Sequence, residues 1–246
     1  MLRRHVLHYR AGPLNWSDLI AALAEQGVNV PAECLAGLQR FRELVIETNA
    51  VTNLTRITAE PEFVEKHVFD GLLGLPHLQG ETLVDVGTGL GVPGIPLALA
   101  QPGLRVVLVE SIQKKAAFLS MALRALELTG AVHAERAEDV GRGPLREHAD
   151  TAVIRAVGPL ATCLELVLPL LRVGGRAVLY RGPDPSDAEL EIARAVGPTL
   201  GGGAVDVHDH VLPGGAGRRL IVVAKESATP DKFPRRAGVP AKRPLT

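Results

Sequence analysis

The chain has 246 residues, and its 27 Lys plus Arg balance 27 Asp plus Glu, so the formal net charge is zero. That balance gives no whole-chain electrostatic case for a polyanionic partner. The two cysteines, Cys34 and Cys163, lie far apart, which argues against a disulfide framework and offers no metal pattern. No apolar run reaches membrane-spanning length, and the basic N-terminus is not followed by the apolar core of a signal peptide. The expectation is a cytoplasmic protein of one large domain, or of one domain with a subdomain, long enough to bury a proper core.

Residues 1–13 read as a loose arm. Ser17 is placed to cap a helix running to about Gln26 and stopped by Gly27. Pro31 opens a second helix, in which Leu35, Leu38, Phe41 and Val45 fall at helical spacing. A polar stretch, Asn49 to Thr58, contains Asn53-Leu54-Thr55. Pro61 opens a third helix through Leu73, and His67 and Asp70 stand three apart on one face of it. These front helices are expected to pack over one edge of a sheet and to help shape a substrate pocket.

The run from Leu83 to Pro96 (Leu-Val-Asp-Val-Gly-Thr-Gly-Leu-Gly-Val-Pro-Gly-Ile-Pro) reads as buried strand, glycine turn and helix start. Pro93 falls in the first helical turn, where proline loses no hydrogen bond. The glycines admit a close ligand, and the helix N-terminus is expected to offer it free N–H groups. Two ligands compete for this cradle. Gly89-x-Gly91-x-x-Gly94 fits a dinucleotide fingerprint with a pyrophosphate on the helix. Asp85-x-Gly87-x-Gly89-x-Gly91 instead resembles the first motif of class I S-adenosylmethionine (SAM) methyltransferases. Asp85 is unfavourable beside a pyrophosphate and an asset beside a cationic methionyl end. Glu110 ends the next buried strand, Arg105 to Val109, about twenty residues on, where an acid binds ribose hydroxyls of either cofactor.

Strands and helices then alternate, which implies a doubly wound parallel sheet. A helix spans Lys114 to Leu128, and a third strand, Val132 to Ala137, leads to Glu138 and Asp139, both candidates for the adenine edge. The fourth strand, Thr151 to Ala156, carries Arg155 at its C-terminal end, where ligands gather in such sheets. A helix over Cys163 to Leu171 precedes strand five, Arg176 to Tyr180, followed by Arg181. A helix over Ser186 to Val196 and strands over Val205 to Leu212 and Arg219 to Ala224 complete the fold. The intervening Pro213-Gly214-Gly215-Ala216-Gly217 suits a hairpin, so the last strand is expected to be antiparallel. The expected class is therefore α/β, a Rossmann-like SAM-methyltransferase sheet with an N-terminal helical region. The expected units are 1–75, 76–225 and a basic, proline-rich tail over 226–246. Such a tail should run extended, track phosphates and build no core.

Taken together, the motifs resemble the glucose-inhibited division protein B family, bacterial small-subunit rRNA guanine-N7 methyltransferases. The resemblance rests on Asn53-Leu54-Thr55, His67-x-x-Asp70, the Asp85-to-Pro96 cradle, Glu110-Ser111 with Lys114-Lys115, Ile154-Arg155-Ala156 and the Pro-Arg-Arg tail, in that order. It implies a SAM-dependent enzyme acting on one guanosine in the decoding-region loop of 16S rRNA, free or in the small subunit; a monomer is expected, with no metal and no membrane partner. By the same resemblance Gly87, Val92, Glu110, Ala137, Glu138 and Arg155 line the cofactor site, and Asp85, Gly89, Gly91 and Ser111 are further cofactor candidates. Guanine N7 has a lone pair and no proton to lose, so orientation should supply most of the rate. Arg155 and Arg181 are candidates for holding phosphate, guanine O6 or the cofactor carboxylate, and Asn53, His67 and Asp70 for framing the base. Gly71 stands where the family usually has serine, and Arg181 where lysine is common.

Overall fold

The structure, a computed structural model, describes residues 13–182 and 187–246. The expected N-terminal arm and the Ser186 helix start therefore lie largely outside the described residues.

Helices α1 (Leu19–Glu25) and α2 (Cys34–Asn49) open the described chain. Ser17 caps nothing, because α1 starts after Asp18 and has no side-chain cap. The third expected helix is not regular. It begins as α3 (Glu60–Phe63), widens into a π turn (Val64–Phe69) and closes as α4 (Asp70–Leu72). Single π turns of this kind occur often at functional sites.

The sheet alternates with helices as expected: β1 (Thr82–Val86), α5 (Gly94–Ala100), β2 (Arg105–Val109), α6 (Gln113–Ala125), β3 (Gly130–His133), α7 (Ala137–Val140) and β4 (Ala149–Arg155). Then come α8 (Leu160–Val167), β5 (Leu171–Arg181), α9 (Asp187–Val196), β6 (Gly202–Val211), β7 (Gly217–Lys225) and α10 (Val239–Lys242). Seven strands lie in the order β3-β2-β1-β4-β5-β7-β6. Those up to β5 are parallel, and β7 runs antiparallel to both neighbours. This is the Rossmann-like class I arrangement. Strand β5 is longer than expected, because Gly174 and Gly175 lie inside it. A Cβ on Gly175 would sit 2.8 Å from the Asp150 carbonyl, so glycine lets the strands close where their register shifts.

Alternate strand residues feed two cores, one on each face. Val106, Leu108, Val153 and Val178 pack beneath α1, α2, the π turn and α6. Val107, Val109, Ile154 and Leu179 pack beneath α8, α9 and the C-terminal segment. The front helices thus cover a face of the sheet rather than one edge.

The C-terminal segment corrects the expectation of an extended, unpacked chain. Thr229, Phe233 and Pro240 are buried. Arg146 donates to the carbonyls of Thr229 (2.5 Å), Pro230 (3.3 Å) and Phe233 (2.7 Å), and Arg142 to that of Pro234 (2.6 Å). Lys225 is buried, and its ammonium donates to the Leu168 carbonyl (2.7 Å) and to Thr229. Lys232, Arg236, Lys242 and Arg243 remain exposed.

Candidate active site

Asp85, the penultimate residue of β1, has no exposed surface. Its Oδ2 accepts from the Thr88 hydroxyl (2.5 Å) and the Gly94 N–H (2.8 Å), folding the glycine turn back onto the strand. Gly87, Gly89 and Gly91 take φ values of 65°, 63° and 101°, which favour glycine. Gly94 is required for another reason: a Cβ there would lie 2.7 Å from Leu108 Cδ2 and 2.8 Å from Asp85 Oδ2. The expectation of free N–H groups at the helix start is corrected. Gly91 and Val92 donate to the Thr88 carbonyl, Ile95 to that of Gly91, and Gly94 to Asp85, while Pro93 has no N–H. A pyrophosphate would find these donors already used. Asp85 Oδ1 is different, for among the described residues it is buried without a partner. Burial pushes this carboxyl up to about 6, against hydrogen bonds from Thr88 and Gly94 that pull it down.

Glu110 ties the cradle to the next strand. Its Oε2 accepts from the Gly89 N–H (3.1 Å) and its Oε1 from the Ile112 N–H (2.8 Å), and Ser111 is exposed beside it. Glu110 N–H donates to the His133 carbonyl (3.0 Å), which draws the end of β3 alongside. Four residues on, α7 begins with half-buried Ala137 and buried Glu138. Glu138 Oε1 accepts from the Gly238 N–H at 2.7 Å. All these cofactor candidates, with buried Val92, gather at the C-terminal edge of the first three strands.

A second cluster abuts the cradle. Asp70, fully buried, receives two arginines. Arg218 Nε and Nη2 reach Oδ1 and Oδ2 (2.6 and 3.0 Å), and Arg155 Nη1 reaches Oδ2 (2.9 Å). The fork geometry of Arg218 makes this a strong, directional pair. Arg155 also donates to the Lys66 carbonyl (2.8 Å), and its Nη2 lies 3.5 Å from His67 Nδ1. A guanidinium only donates, so Nδ1 accepts and Nε2–H donates to the Thr55 hydroxyl oxygen at 3.0 Å. Burial, then the Arg155 charge, push His67 down to about 4, so the ring is neutral at pH 7. Ala156, next to Arg155, has φ 59°, a strained value for a residue other than glycine. The two clusters touch through Gly71, where a Cβ would stand 3.3 Å from Val92 Cγ1.

His67, Asp70 and Arg155 therefore meet, as expected of residues sharing a site. Arg181 does not join them through its side chain. It donates to the Gly158 carbonyl (2.6 Å) and Glu189 (2.7 Å), and only its carbonyl reaches the cluster, accepting from Arg218 Nη1 (2.9 Å). Asn53 is exposed, on a cleft of about 460 Å3 lined, among the described residues, by Asn53, Leu54, Thr55 and Arg56. Sequence reasoning missed Arg218 and Thr55. Thr55 stood inside a motif already noted, and the strand alternation of β7 could have pointed to Arg218.

The family model for GidB, rRNA small subunit methyltransferase G, matches residues 35–207. The Ribosomal RNA small subunit methyltransferase G of Carboxydothermus hydrogenoformans is 41% identical over 227 residues, covering 90% of this chain and 96% of that protein. The protein of the same name from Gloeobacter violaceus is 45% identical over 213 residues, 84% of each chain. Two solved structures share the fold. An O-methyltransferase from Bacillus cereus, in complex with SAH, has a TM-score of 0.55 at 19% identity, covering 86% of this chain and 100% of that one. A branched-chain polyamine synthase mutein from Thermus thermophilus has 0.58 at 18%, covering 82% and 66%. By the family match and the identity to these relatives, the chain belongs to the GidB family, rRNA small subunit methyltransferase G, and its methyl donor is S-adenosyl-L-methionine.

Proposed function

We propose that the protein is a cytoplasmic enzyme, acting as a monomer, that methylates N7 of one guanosine in the decoding-region loop of 16S rRNA. The observation that carries this reading is the contact, at Gly71 and Val92, between a closed glycine cradle and an arginine-rich cluster with no free base.

The cradle residues fit SAM. Asp85 Oδ1 is a buried acceptor lacking a donor, which suits an ammonium or its bridging water. Glu110 keeps acceptor capacity beyond its two backbone contacts and can take ribose hydroxyls. Gly89 leaves open space where a Cβ would be. Ala137 and Glu138 would border the adenine. When bound, SAM supplies an electrophilic methyl group on a sulfonium.

The chain's own work is then to hold a guanine in line with that methyl group. Arg155 and Arg218 together outnumber Asp70 in charge, and both keep a solvent-reaching edge, with 17% and 19% of their side chains exposed. They can donate to guanine O6 or to an adjoining phosphate. Asn53 and Thr55 border the cleft that would receive the base. Neither Asp70 nor His67 is available to take a proton, since arginines saturate one and Thr55 with Arg155 occupies the other. Methylation at N7 asks for no proton removal, unlike methylation of an amine or a hydroxyl.

The test is methyl transfer from labelled SAM to small subunits and to free small-subunit RNA from cells lacking this protein. A single labelled site, released as N7-methylguanine, is the expected outcome. Label on another atom or another RNA would overturn the N7 assignment.

A further inference from the structure

The C-terminal segment, outside the residues matched by the family model, is fastened at two points that converge on the cofactor side of the sheet. Arg235 sits on Glu165, a fully buried acid of α8. Its Nε and Nη2 reach the carboxylate at 2.9 and 2.6 Å, and its backbone N–H adds a third contact at 2.8 Å. No other cation pairs with Glu165 among the described residues. Three residues on, Gly238 donates its N–H to Glu138. The segment then continues to Pro240, whose carbonyl accepts from Thr162 (2.9 Å). Arg142 and Arg146, in the turn after α7, grip the same segment through its carbonyls. Thus the wall that carries Ala137 and Glu138 is held from outside by the C-terminal chain. Helix α7 has only four residues and cannot hold itself.

The geometry points to residues 226–246 as the outer support of the adenine-side wall, with Arg235 and Gly238 as positioning residues that act through Glu165 and Glu138. This rests on the reading that Ala137 and Glu138 border the cofactor. It gives the segment a role apart from tracking RNA. Coupling of this kind is reciprocal: if docking the segment tightens SAM binding, SAM must tighten the docking by the same factor.

The full-length protein provides the test. Trypsin cleavage at Lys232, Arg236 and Lys242 is followed by mass spectrometry with and without saturating SAM, whose binding is measured by calorimetry. SAM is expected to slow cleavage in this segment at least fivefold. Arg235→Ala is expected to weaken SAM binding by the same factor. The double variant Glu165→Gln with Arg235→Gln, which leaves no unpaired buried charge, should also weaken it while retaining the native fold. A segment cleaved at one rate whether or not SAM is bound would overturn the coupling and leave the cofactor assignment standing. Failure to bind SAM at all would overturn both.

Discussion

The cradle and the Asp70 cluster touch, yet they are built in opposite ways. The cradle is local: Asp85, Thr88, Gly89 and Gly94 hold one another within a single strand, turn and helix, with Glu110 arriving from the neighbouring strand. The cluster is assembled from afar, since Asp70 and Arg218 are 148 residues apart and Arg155 comes from a third element. A local motif can be read from spacing. A long-range one exists only once the sheet has set its register. The same contrast governs how each responds to damage.

The largest expected effect is at Asp70. Replacing it with Leu strands two partly buried guanidiniums beside each other, so unfolding free energy in urea should fall by about 3–5 kcal/mol. A loss under about 1 kcal/mol would mean that water screens the cluster and that the two regions are equally replaceable. Gly94→Ala comes next. Its methyl group must displace Leu108 or Asp85 from under 3 Å, so stability should fall by about 1–3 kcal/mol. SAM affinity should fall at least tenfold by calorimetry. Gly89→Ala, with open space around it, should cost only the left-handed strain, about 1–2 kcal/mol. If the two variants behave alike, close packing is not what shapes the cradle.

The sharpest comparison comes from pH, because the two regions should answer it with opposite signs. His67 moves from 6.5 down to about 4 on folding. Its contribution is present above pH 6.5 and is lost as pH falls toward 4. Asp85 moves from 3.8 up to about 6. Its contribution is present below pH 3.8 and is lost as pH rises through 6. Each exchanges one proton, so neither slope can exceed about 1.4 kcal/mol per pH unit. In urea titrations between pH 4 and 6.5, His67→Gln should reduce the loss on acidification relative to the unaltered protein. Asp85→Asn should increase it. Equal slopes for both variants and the parent would refute both assignments.

How much was legible follows the same division. The succession of strands and helices, the antiparallel finish and the cradle were readable because periodicity and glycine spacing are local signals. Asp85 was noticed for its charge, but its service as a clamp on Thr88 and Gly94 was not. The identical neighbours Arg218 and Arg219 could not be told apart by type. Their opposite directions on β7 send one to Asp70 and the other to Asp209. The C-terminal segment was misread because its prolines and charges look unfoldable. Many of its anchors are backbone groups, carbonyls taken by Arg142 and Arg146 and the Gly238 N–H held by Glu138, and composition carries no trace of them.

The π turn at Val64–Phe69 has a further consequence, for the kinds of change this gene can tolerate. An α-helix advances about 100° per residue. Deleting one residue from Val64–Phe69 would let the helix run regularly and so favour local geometry. Because a π turn takes about one residue more than the α turn it replaces, Asp70 would stay near its place, whereas a single insertion would swing it about a quarter turn away from both arginines. A single-codon deletion here is therefore expected to be tolerated better than a single-codon insertion, since the first removes the widened turn and the second turns Asp70 off Arg155 and Arg218.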